Sequence, residues 1–440
     1  MFISRSSLWA NLDCSDDEKT RIYLERSKSS PINLMLCRRK TISSHDPVFQ
    51  IVPHLTGRLK SLLIKSTPET IRAIAPHLSH PAPLLRRLDV SADQGITPND
   101  HHPTLTPTLF NGDLSSLHTL NLHFIRTELP RGNMANLTSF ALRCTEGVTV
   151  GRLLDFFESA PRLRQVYLHY TAPSADAQIQ RGQLILLTCL KKMVISGFSP
   201  PSILLDHLVI PVGAELTTKG DLLDSLVGDH LPRSLNNLKN FPNFTTIRLF
   251  VNDVNPVIEF TGPNGQVKTI LDNEDDHPIS SNMALKCLTQ LDTSTTERLE
   301  IDGGDSLSRD TFHQALLPMK GLRTLLLARS ADLQIFMDAL RPSTSPSEGV
   351  VCPGLGELIL YDGQTSSIGS VIDMAAARAS GGVQLGTIRI VDWGDLDVSE
   401  LREHVLDVKR SYWDDGTNGD DVEEFEQHSY ETECTYISAL

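Results

Sequence analysis

The stretch Leu117-His118-Thr119-Leu120-Asn121-Leu122 carries the pattern that decides the fold of this 440-residue chain. Its apolar residues follow the order apolar-x-x-apolar-x-apolar. The last two alternate with polar residues, so both point to one face of an extended strand. The same order occurs at 59–64 and at 85–90. Each such unit therefore predicts a short strand with one buried face.

The pattern recurs along most of the chain, and most copies begin 20 to 33 residues apart. The other units begin at Leu137, Leu163, Leu190, Leu205, Phe244, Leu322, Leu355 and Leu385; a degenerate copy begins at Thr296, and a partial copy lies at Leu34 and Leu36. Helix-like segments lie between units, at Pro68–Leu78, Gly151–Ser159, Ser308–Met319, Asp332–Leu340 and Val398–Lys409.

A strand–helix unit of this length cannot bury its apolar edge alone, so neighbouring units must stack. We therefore predict an α/β fold, an irregular leucine-rich-repeat-like solenoid with a single curved parallel sheet. The alternative is a set of chance matches in a Leu-rich chain. Between Phe244 and Thr296, the β-rich segments Val257–Thr261 and Gln266–Leu271 flank Asn264-Gly265. Asn-Gly is a strong hairpin signal, so we also predict a β-hairpin insertion that extends the sheet or projects from it.

The charge of the chain is unevenly distributed. With 40 Lys and Arg against 54 Asp and Glu, the net charge is -14, which argues against a nucleic-acid or anionic-membrane binder. Residues 414–433 are rich in Asp and Glu and contain no Lys or Arg, so they predict a flexible, solvated tail. No apolar run is long enough for a membrane span.

The sequence contains no recognisable catalytic, cofactor or metal motif. Neither a GxSxG nucleophile elbow nor a GxxxxGK[ST] phosphate loop occurs. The seven cysteines are widely spaced without a CxxC pair, which favours reduced thiols in the cytoplasm or nucleus. We therefore expect no enzyme, no cofactor and no metal.

The exposed positions of the predicted strands are enriched in basic residues. We expect them on the concave face of the solenoid, where they would bind an acidic or phosphorylated segment of a protein partner. Solvated charges on an ordinary sheet face are the alternative, and the acidic tail could compete for the same surface. This predicted basic surface comprises Lys60, Arg86, Arg87, Arg164, Lys191, Lys192 and Arg248.

Two sets of phrases resemble a known family. The first is Trp9, a helix around Glu18–Ser27, and Leu24-Glu25-Arg26-Ser27 followed by Pro31 and Leu34. The second consists of 109–117, 136–140 and 154–163. Together they resemble F-box-like, leucine-rich-repeat-like proteins of basidiomycete fungi. The resemblance implies the substrate-recognition part of an F-box-type ubiquitin-ligase receptor, which binds a Skp-type adaptor.

The chain departs from this family at its amino end. It begins only eight residues before Trp9, so we expect the adaptor-binding helices of the F-box to be largely missing. Their absence argues against Skp-type adaptor binding and makes a stand-alone scaffold or decoy the alternative function. The expected organisation is an F-box remnant and capping helix at 1–30, the solenoid at 31–410 and the acidic tail at 411–440.

Overall fold

The computed structural model describes residues 6–14, 17–38, 52–93, 103–105, 109–112, 114–170, 183–198, 200–221, 225–251, 255–272, 281–303, 307–329, 333–342, 350–361, 367–394 and 396–411. Strands form where the sequence alternates apolar and polar residues, and 17 of them join one mostly parallel sheet. The acidic tail expected at 411–440 lies outside the described residues, apart from Ser411.

The strands of this main sheet are β1 (Asn11–Asp13), β2 (Ile32–Arg38), β3 (Leu59–Ser66), β4 (Arg87–Ala92), β6 (Thr119–His123), β8 (Ser139–Arg143), β9 (Gln165–His169), β11 (Lys192–Ser196), β13 (Glu215–Asp221), β14 (Thr246–Val251), β15 (Val257–Gly262), β16 (Gly265–Asp272), β17 (Arg298–Gly303), β18 (Thr324–Ala328), β19 (Glu357–Tyr361), β20 (Thr387–Val391) and β21 (Asp407–Ser411). Two small sheets pair β5 (Thr104–Leu105) with β7 (Arg126–Thr127) and β10 (Ile185–Leu186) with β12 (Leu208–Val209).

Strand order in the main sheet follows chain order, with one exception. The predicted hairpin is confirmed as β15 and β16, and it lies inside the sheet between β13 and β14. Strand β16 is parallel to β13, whereas β15 is antiparallel to both of its neighbours. The sheet is therefore not purely parallel, because a hairpin necessarily reverses one strand.

Helices pack on one face of the sheet, which we call the core face. The helices are Asp17–Ser27, Pro68–Ile74, Val150–Ser159, Ser202–Leu205, Leu226–Asp229, Ser281–Leu288, Arg309–Leu316, Leu333–Leu340 and Ile368–Ser380. Thr149 and Ser308 cap two of them by accepting hydrogen bonds from backbone N–H groups in the first turn. The ring centroids of Phe140 on β8 and Phe156 on the helix Val150–Ser159 lie 4.4 Å apart, so this strand and this helix share one apolar core.

The unit beginning at Leu205 was wrongly predicted as a strand of the main sheet. Leu205 ends a helix, and Leu208 belongs to the small sheet with β10. The strand that occupies this place is β13, which the apolar pattern misses. Its core-face residue Thr218 is fully buried and donates a hydrogen bond to Thr269 on β16 over 3.2 Å, so a paired hydroxyl replaces an apolar side chain.

The helix predicted at Val398–Lys409 is also wrong. Only Leu401–Glu403 forms a 3-10 turn, and Asp407–Ser411 is strand β21, paired in parallel with β20. Pairing with the exposed edge of β20 outweighs the weak local helix preference of this segment. At the other end, β1 pairs with β2, so the sheet extends into residues that the sequence assigned to the capping segment.

Several parallel strands end in the same backbone conformation. The residue after the last strand position has a positive φ in β6, β8, β9, β11, β18 and β20, at Phe124, Cys144, Tyr170, Gly197, Arg329 and Asp392, and in β17 the last residue, Gly303, has one. For a non-glycine residue this conformation costs roughly 1 kcal/mol or more. The backbone N–H groups of Phe124, Cys144 and Tyr170 each donate to a carbonyl of the next strand, which offsets part of that cost.

Candidate functional site

The face of the sheet opposite the core, which we call the second face, carries the candidate site. On each strand its side chains alternate with the buried core residues, and in-register pairing aligns them into three rows across the sheet. On β6, for example, Thr119 lies in the first row, Asn121 in the second and His123 in the third. The Cα atoms of neighbouring residues in a row lie about 4.8 Å apart, which is the spacing of hydrogen-bonded strands.

The structure separates the predicted basic surface into two groups. Lys60, Arg86, Arg164 and Lys191 immediately precede the first row and are exposed at the amino edge of β3, β4, β9 and β11. Backbone hydrogen bonds link them in pairs, from the N–H of Arg86 to the carbonyl of Lys60 and from that of Lys191 to Arg164, both over 2.8 Å. None of these four edge cations forms an ion pair with a described residue.

The other three predicted residues lie on the second face and are ion-paired. Arg87 contacts Asp89 at 3.2 Å, and Lys192 contacts Glu215 on the adjacent strand at 3.4 Å. The guanidinium of Arg248 lies 2.9 Å from the buried Glu300 of β17 and 3.8 Å from Glu259 of β15. Strands β13, β16 and β15 separate Arg248 from Lys192, roughly 19 Å along the sheet. The seven residues therefore do not form one patch.

The third row contains basic residues that the sequence analysis missed. From β3 to β13 this row reads Lys65, Ser91, His123, Arg143, His169, Ser196 and Lys219. We call Lys65, His123, Arg143, His169 and Lys219 the basic row. Lys65, His123, Arg143 and His169 each follow the last apolar residue of a unit by one position, so continuing the strand alternation by one residue would have found them. Lys219 lies on β13, which the apolar pattern misses.

Electrostatics within the basic row favour neutral histidines at neutral pH. Burial lowers the pKa of His123, and Arg143 and Lys65 lower it further, while Asp89 acts in the opposite direction. Burial also lowers the pKa of His169, again helped by Arg143 and also by Lys219. Arg143 therefore lies close to two imidazoles, neither of which is its counter-ion.

Asp89 is the one acidic residue in the second and third rows between β3 and β13. It is buried, and it accepts hydrogen bonds from Arg87 over 3.2 Å and from the side-chain amide of Asn121 over 3.0 Å. Both hydrogen bonds are to one oxygen, Oδ2, so this carboxylate is shared with Arg87 of the first row and Asn121 of the second. Asp89 consequently offsets the charge of the basic row only in part.

On β14 and β17 to β20, which are adjacent in the sheet, the second face instead pairs its charges internally. Glu300 contacts both Arg248 and Arg298, and Asp302 accepts a bidentate pair of hydrogen bonds from Arg329. Arg389 contacts Glu357 on the adjacent strand at 3.3 Å. Between these pairs, Leu326, Ala328 and Ile359 form a small buried apolar cluster separate from the main core.

Two cavities lie at the amino edge of the sheet. One of ≈ 240 Å³ is bordered by His118, Thr138, Arg164 and the exposed Cys189, and Arg162 at its rim contacts Asn136 at 3.2 Å. A larger one of ≈ 550 Å³ lies around Thr245, Glu297 and Arg323. In the smaller cavity, the Nδ1 atom of His118 contacts the carbonyl of Ser116 over 2.7 Å, and no hydrogen bond between described residues joins this imidazole to the thiol of Cys189.

Two buried cysteines are poorly reactive at neutral pH. Burial raises the pKa of Cys287 to about 11 and that of Cys352 to about 12, so both thiols stay protonated at neutral pH and are poor nucleophiles. No group of three or more His, Cys, Asp or Glu within the described ranges has the arrangement of a metal site. In the same ranges, the helices are too short or too polar to cross a bilayer.

No family model matches the chain, and no curated protein matches it. The F-box-like resemblance therefore remains an expectation from the sequence phrases quoted above.

Proposed function

We propose that the chain is a non-catalytic protein-interaction module that binds an extended acidic segment of a partner along strands β3 to β13. One observation carries this proposal: these strands present cations at both of their ends. The four edge cations are exposed at the amino ends, and Lys65 and Arg143 lie near the carboxyl ends. None of these six residues forms an ion pair with a described residue, although the whole chain has a net charge of -14.

Extended segments suit this surface for a geometric reason. The edge cations and the third row lie five residues apart along a strand, roughly 17 Å at about 3.3 Å per residue. A bound segment can therefore contact both sets of cations while crossing several strands. We further propose that the succession of strand–helix units is a leucine-rich-repeat-like solenoid, because such arrays offer long continuous surfaces for partners.

The role implied by the family resemblance is substrate selection for ubiquitination. It is tested by a pull-down of the Skp-type adaptor with this chain and with the same chain carrying a grafted F-box. Adaptor binding by either protein, together with ubiquitination of a bound substrate, supports the role. A grafted chain that binds the adaptor but never promotes ubiquitination of its bound partner favours a scaffold instead.

The binding proposal is tested by reversing the charge of the edge cations. The variant Lys60→Glu, Arg86→Glu, Arg164→Glu, Lys191→Glu should bind a labelled Glu-rich peptide about tenfold more weakly, because complementary charges are replaced by repulsive ones. The matched control is Arg72→Glu, Lys286→Glu, Arg309→Glu, Arg402→Glu, which changes the net charge equally at exposed positions in helical segments rather than at strand ends. Equal loss in both variants, measured by fluorescence anisotropy, would reduce the effect to net charge and refute the proposed surface.

A further inference from the structure

His123, Arg143 and His169 occupy the same row on three adjacent strands, β6, β8 and β9. Arg143 is directly paired in register with both histidines. The two histidine Cα atoms are therefore about 10 Å apart, with the arginine midway between them. Three nitrogen-bearing side chains can thus converge on a single small group above Arg143.

The arrangement continues symmetrically on both sides. Ser91 and Ser196 occupy the next positions of the row, and Lys65 and Lys219 the positions beyond them. The row therefore has a centre of three converging donors, two neighbouring hydroxyls and two outer lysines. A solvated face of ordinary composition would mix charges of both signs, as β14 to β20 do.

This centre is electrostatically unfavourable without a ligand. Arg143 has no ion pair with a described residue, and its charge lowers the pKa of the imidazole on either side. Positions where charged side chains lack favourable partners within the protein are commonly functional sites. A bound anion would favour protonation of both imidazoles, so that all three groups would attract it.

We propose that His123, Arg143 and His169 bind the phosphoryl group of a phosphorylated partner segment. This rests on the proposed function, since it names the anchor of the bound segment. A guanidinium matches two phosphate oxygens in a fork, and the flanking imidazoles can reach the others. Lys65 and Lys219 then attract acidic residues on either side of the phosphorylated one.

A phosphate ester fits this site better than the two alternatives. A carboxylate has two oxygens and can satisfy the guanidinium fork alone, leaving the histidines without a role. A nucleic acid needs a continuous track of cations, whereas the chain has a net charge of -14 and the centre is confined to three strands. Both alternatives are outcomes of the experiment below.

Binding of the anion is coupled to proton uptake. The groups facing His123 are Lys65 on β3, Asp89 on β4 and Arg143 on β8; those facing His169 are Arg143, Lys219 on β13 and the adjacent Tyr170 ring. An oxyanion between the imidazoles raises the pKa of both, so the complex binds protons that the free chain does not. Affinity for a non-titrating anion therefore increases as pH falls.

The first test uses the full chain and three labelled twelve-residue peptides that differ only at one position, occupied by phosphoserine, glutamate or serine. The parent chain should bind the phosphoserine peptide about tenfold more tightly than either other peptide, the worth of one charge-assisted bidentate contact. Arg143→Gln should abolish this preference, and Arg143→Lys should restore only part of it. Arg389→Gln, on the internally paired part of the face, should leave it unchanged.

The outcomes separate this inference from the proposed function. If Arg143→Gln keeps the phosphoserine preference, or if the glutamate peptide binds as tightly, the anchor is refuted while the acidic-segment surface stands. If the edge-cation variant also binds every peptide like the parent, both proposals fail. Tighter binding of a single-stranded RNA of the same length would refute the anchor in favour of nucleic acid.

The second test measures proton linkage with inorganic sulfate, which does not titrate in this range. At constant ionic strength, sulfate should raise the melting temperature of the parent chain more at about pH 6.5 than at about pH 8, since the unperturbed histidine pKa is about 6.5. The double variant His123→Gln, His169→Gln should show the same shift at both pH values. Equal shifts in the parent chain would refute the role of the histidines.

Discussion

On β14 to β20 each arginine of the second face contacts a carboxylate, whereas on β8 Arg143 stands between two histidines. Both regions belong to one sheet with the same spacing and the same core, so the backbone does not impose the difference. The side chains chosen for neighbouring strands impose it. Pairing across strands fixes the charges of the first region in place, whereas in the second region Lys65, Arg143 and the four edge cations form no ion pair with a described residue.

The comparison separates structural cations from binding cations. A structural cation loses its water on folding and needs protein partners in exchange, so its removal or the removal of its partner should destabilise the fold. A binding cation has no such partners, so its removal should cost affinity and little stability. A third kind of cation is buried without a carboxylate and donates its hydrogen bonds to backbone carbonyls.

The largest effect is expected at Arg378, which is fully buried without a carboxylate. Its guanidinium donates to the carbonyls of Leu340, Val351 and Cys352 over 2.9 to 3.2 Å. Arg378→Met leaves these three buried acceptors unpaired, so we expect a loss of about 3 kcal/mol or more in the free energy of unfolding. Urea denaturation measures it.

The matched control for Arg378 is Arg402→Met, at an arginine that is exposed to solvent. That substitution should stay within about 0.5 kcal/mol of the parent, as surface changes do. Equal stability of the two variants would show that the carbonyl contacts of Arg378 contribute nothing.

A smaller loss is expected at Glu300, whose side chain is 2% exposed and contacts both Arg248 and Arg298. Glu300→Ala should cost about 2 kcal/mol, less than a fully buried pair would, because both arginines can turn toward water. Glu357→Ala is the control: its pair with Arg389 is 29% and 37% exposed and should cost at most about 1 kcal/mol. Should both variants unfold at the same urea concentration, burial would not distinguish the two pairs.

The sequence predicted the strands well for a physical reason. Alternation of apolar and polar residues reflects burial of one strand face, so units such as the one at 117–122 become strands with their second and third apolar residues in the core. Strand β13 escaped because Thr218 takes an apolar position and satisfies its hydroxyl with Thr269. Strand β21 escaped because only tertiary pairing with β20 makes it a strand.

The candidate site was predicted less well, because ion pairing depends on which strands are neighbours. The partner of Lys192 is Glu215 on the strand that the pattern missed, and a partner of Arg248 lies in the hairpin. Neither neighbour relation is visible in the apolar spacing. The basic row was missed because His123, Arg143 and His169 follow the apolar units, and because histidines were counted as neutral.

A carboxylate introduced into the basic row would give it an ion pair of the kind that β14 and β17 to β20 contain. Ser91 lies in the row between Lys65 and His123. Ser91→Glu supplies a carboxylate there, so we expect stability to rise by about 0.5 kcal/mol, as for opposite charges on adjacent strands. Affinity for the phosphoserine peptide should fall, since the new carboxylate competes with the phosphate.

The control for Ser91 is Ser411→Glu, at the third-row position of β21 beyond the internally paired region. It adds the same charge far from Arg143 and should leave phosphoserine affinity unchanged. An equal loss of affinity in both variants would mean that net charge, rather than the position in the row, controls binding.

The smallest effect is the dependence of stability on pH. The pKa values of His123 and His169 are lowered in the folded chain, so the unfolded chain binds protons first as pH falls. Their contribution is therefore complete above about pH 6.5, the unperturbed value, and decreases as pH falls through the lowered folded values. Urea denaturation between about pH 5 and pH 8 should show a steeper decline for the parent than for His123→Gln, His169→Gln.

The loss of stability as pH falls also distinguishes the two regions of the second face. Sulfate should reduce this loss in the parent chain, because a bound anion raises the histidine pKa values toward their ordinary value. It should have no such effect in the double variant. A decline that sulfate leaves unaltered would mean that the histidines respond to burial alone. The β3 to β13 region would then bind its partner through the edge cations, with the basic row as an ordinary part of the fold.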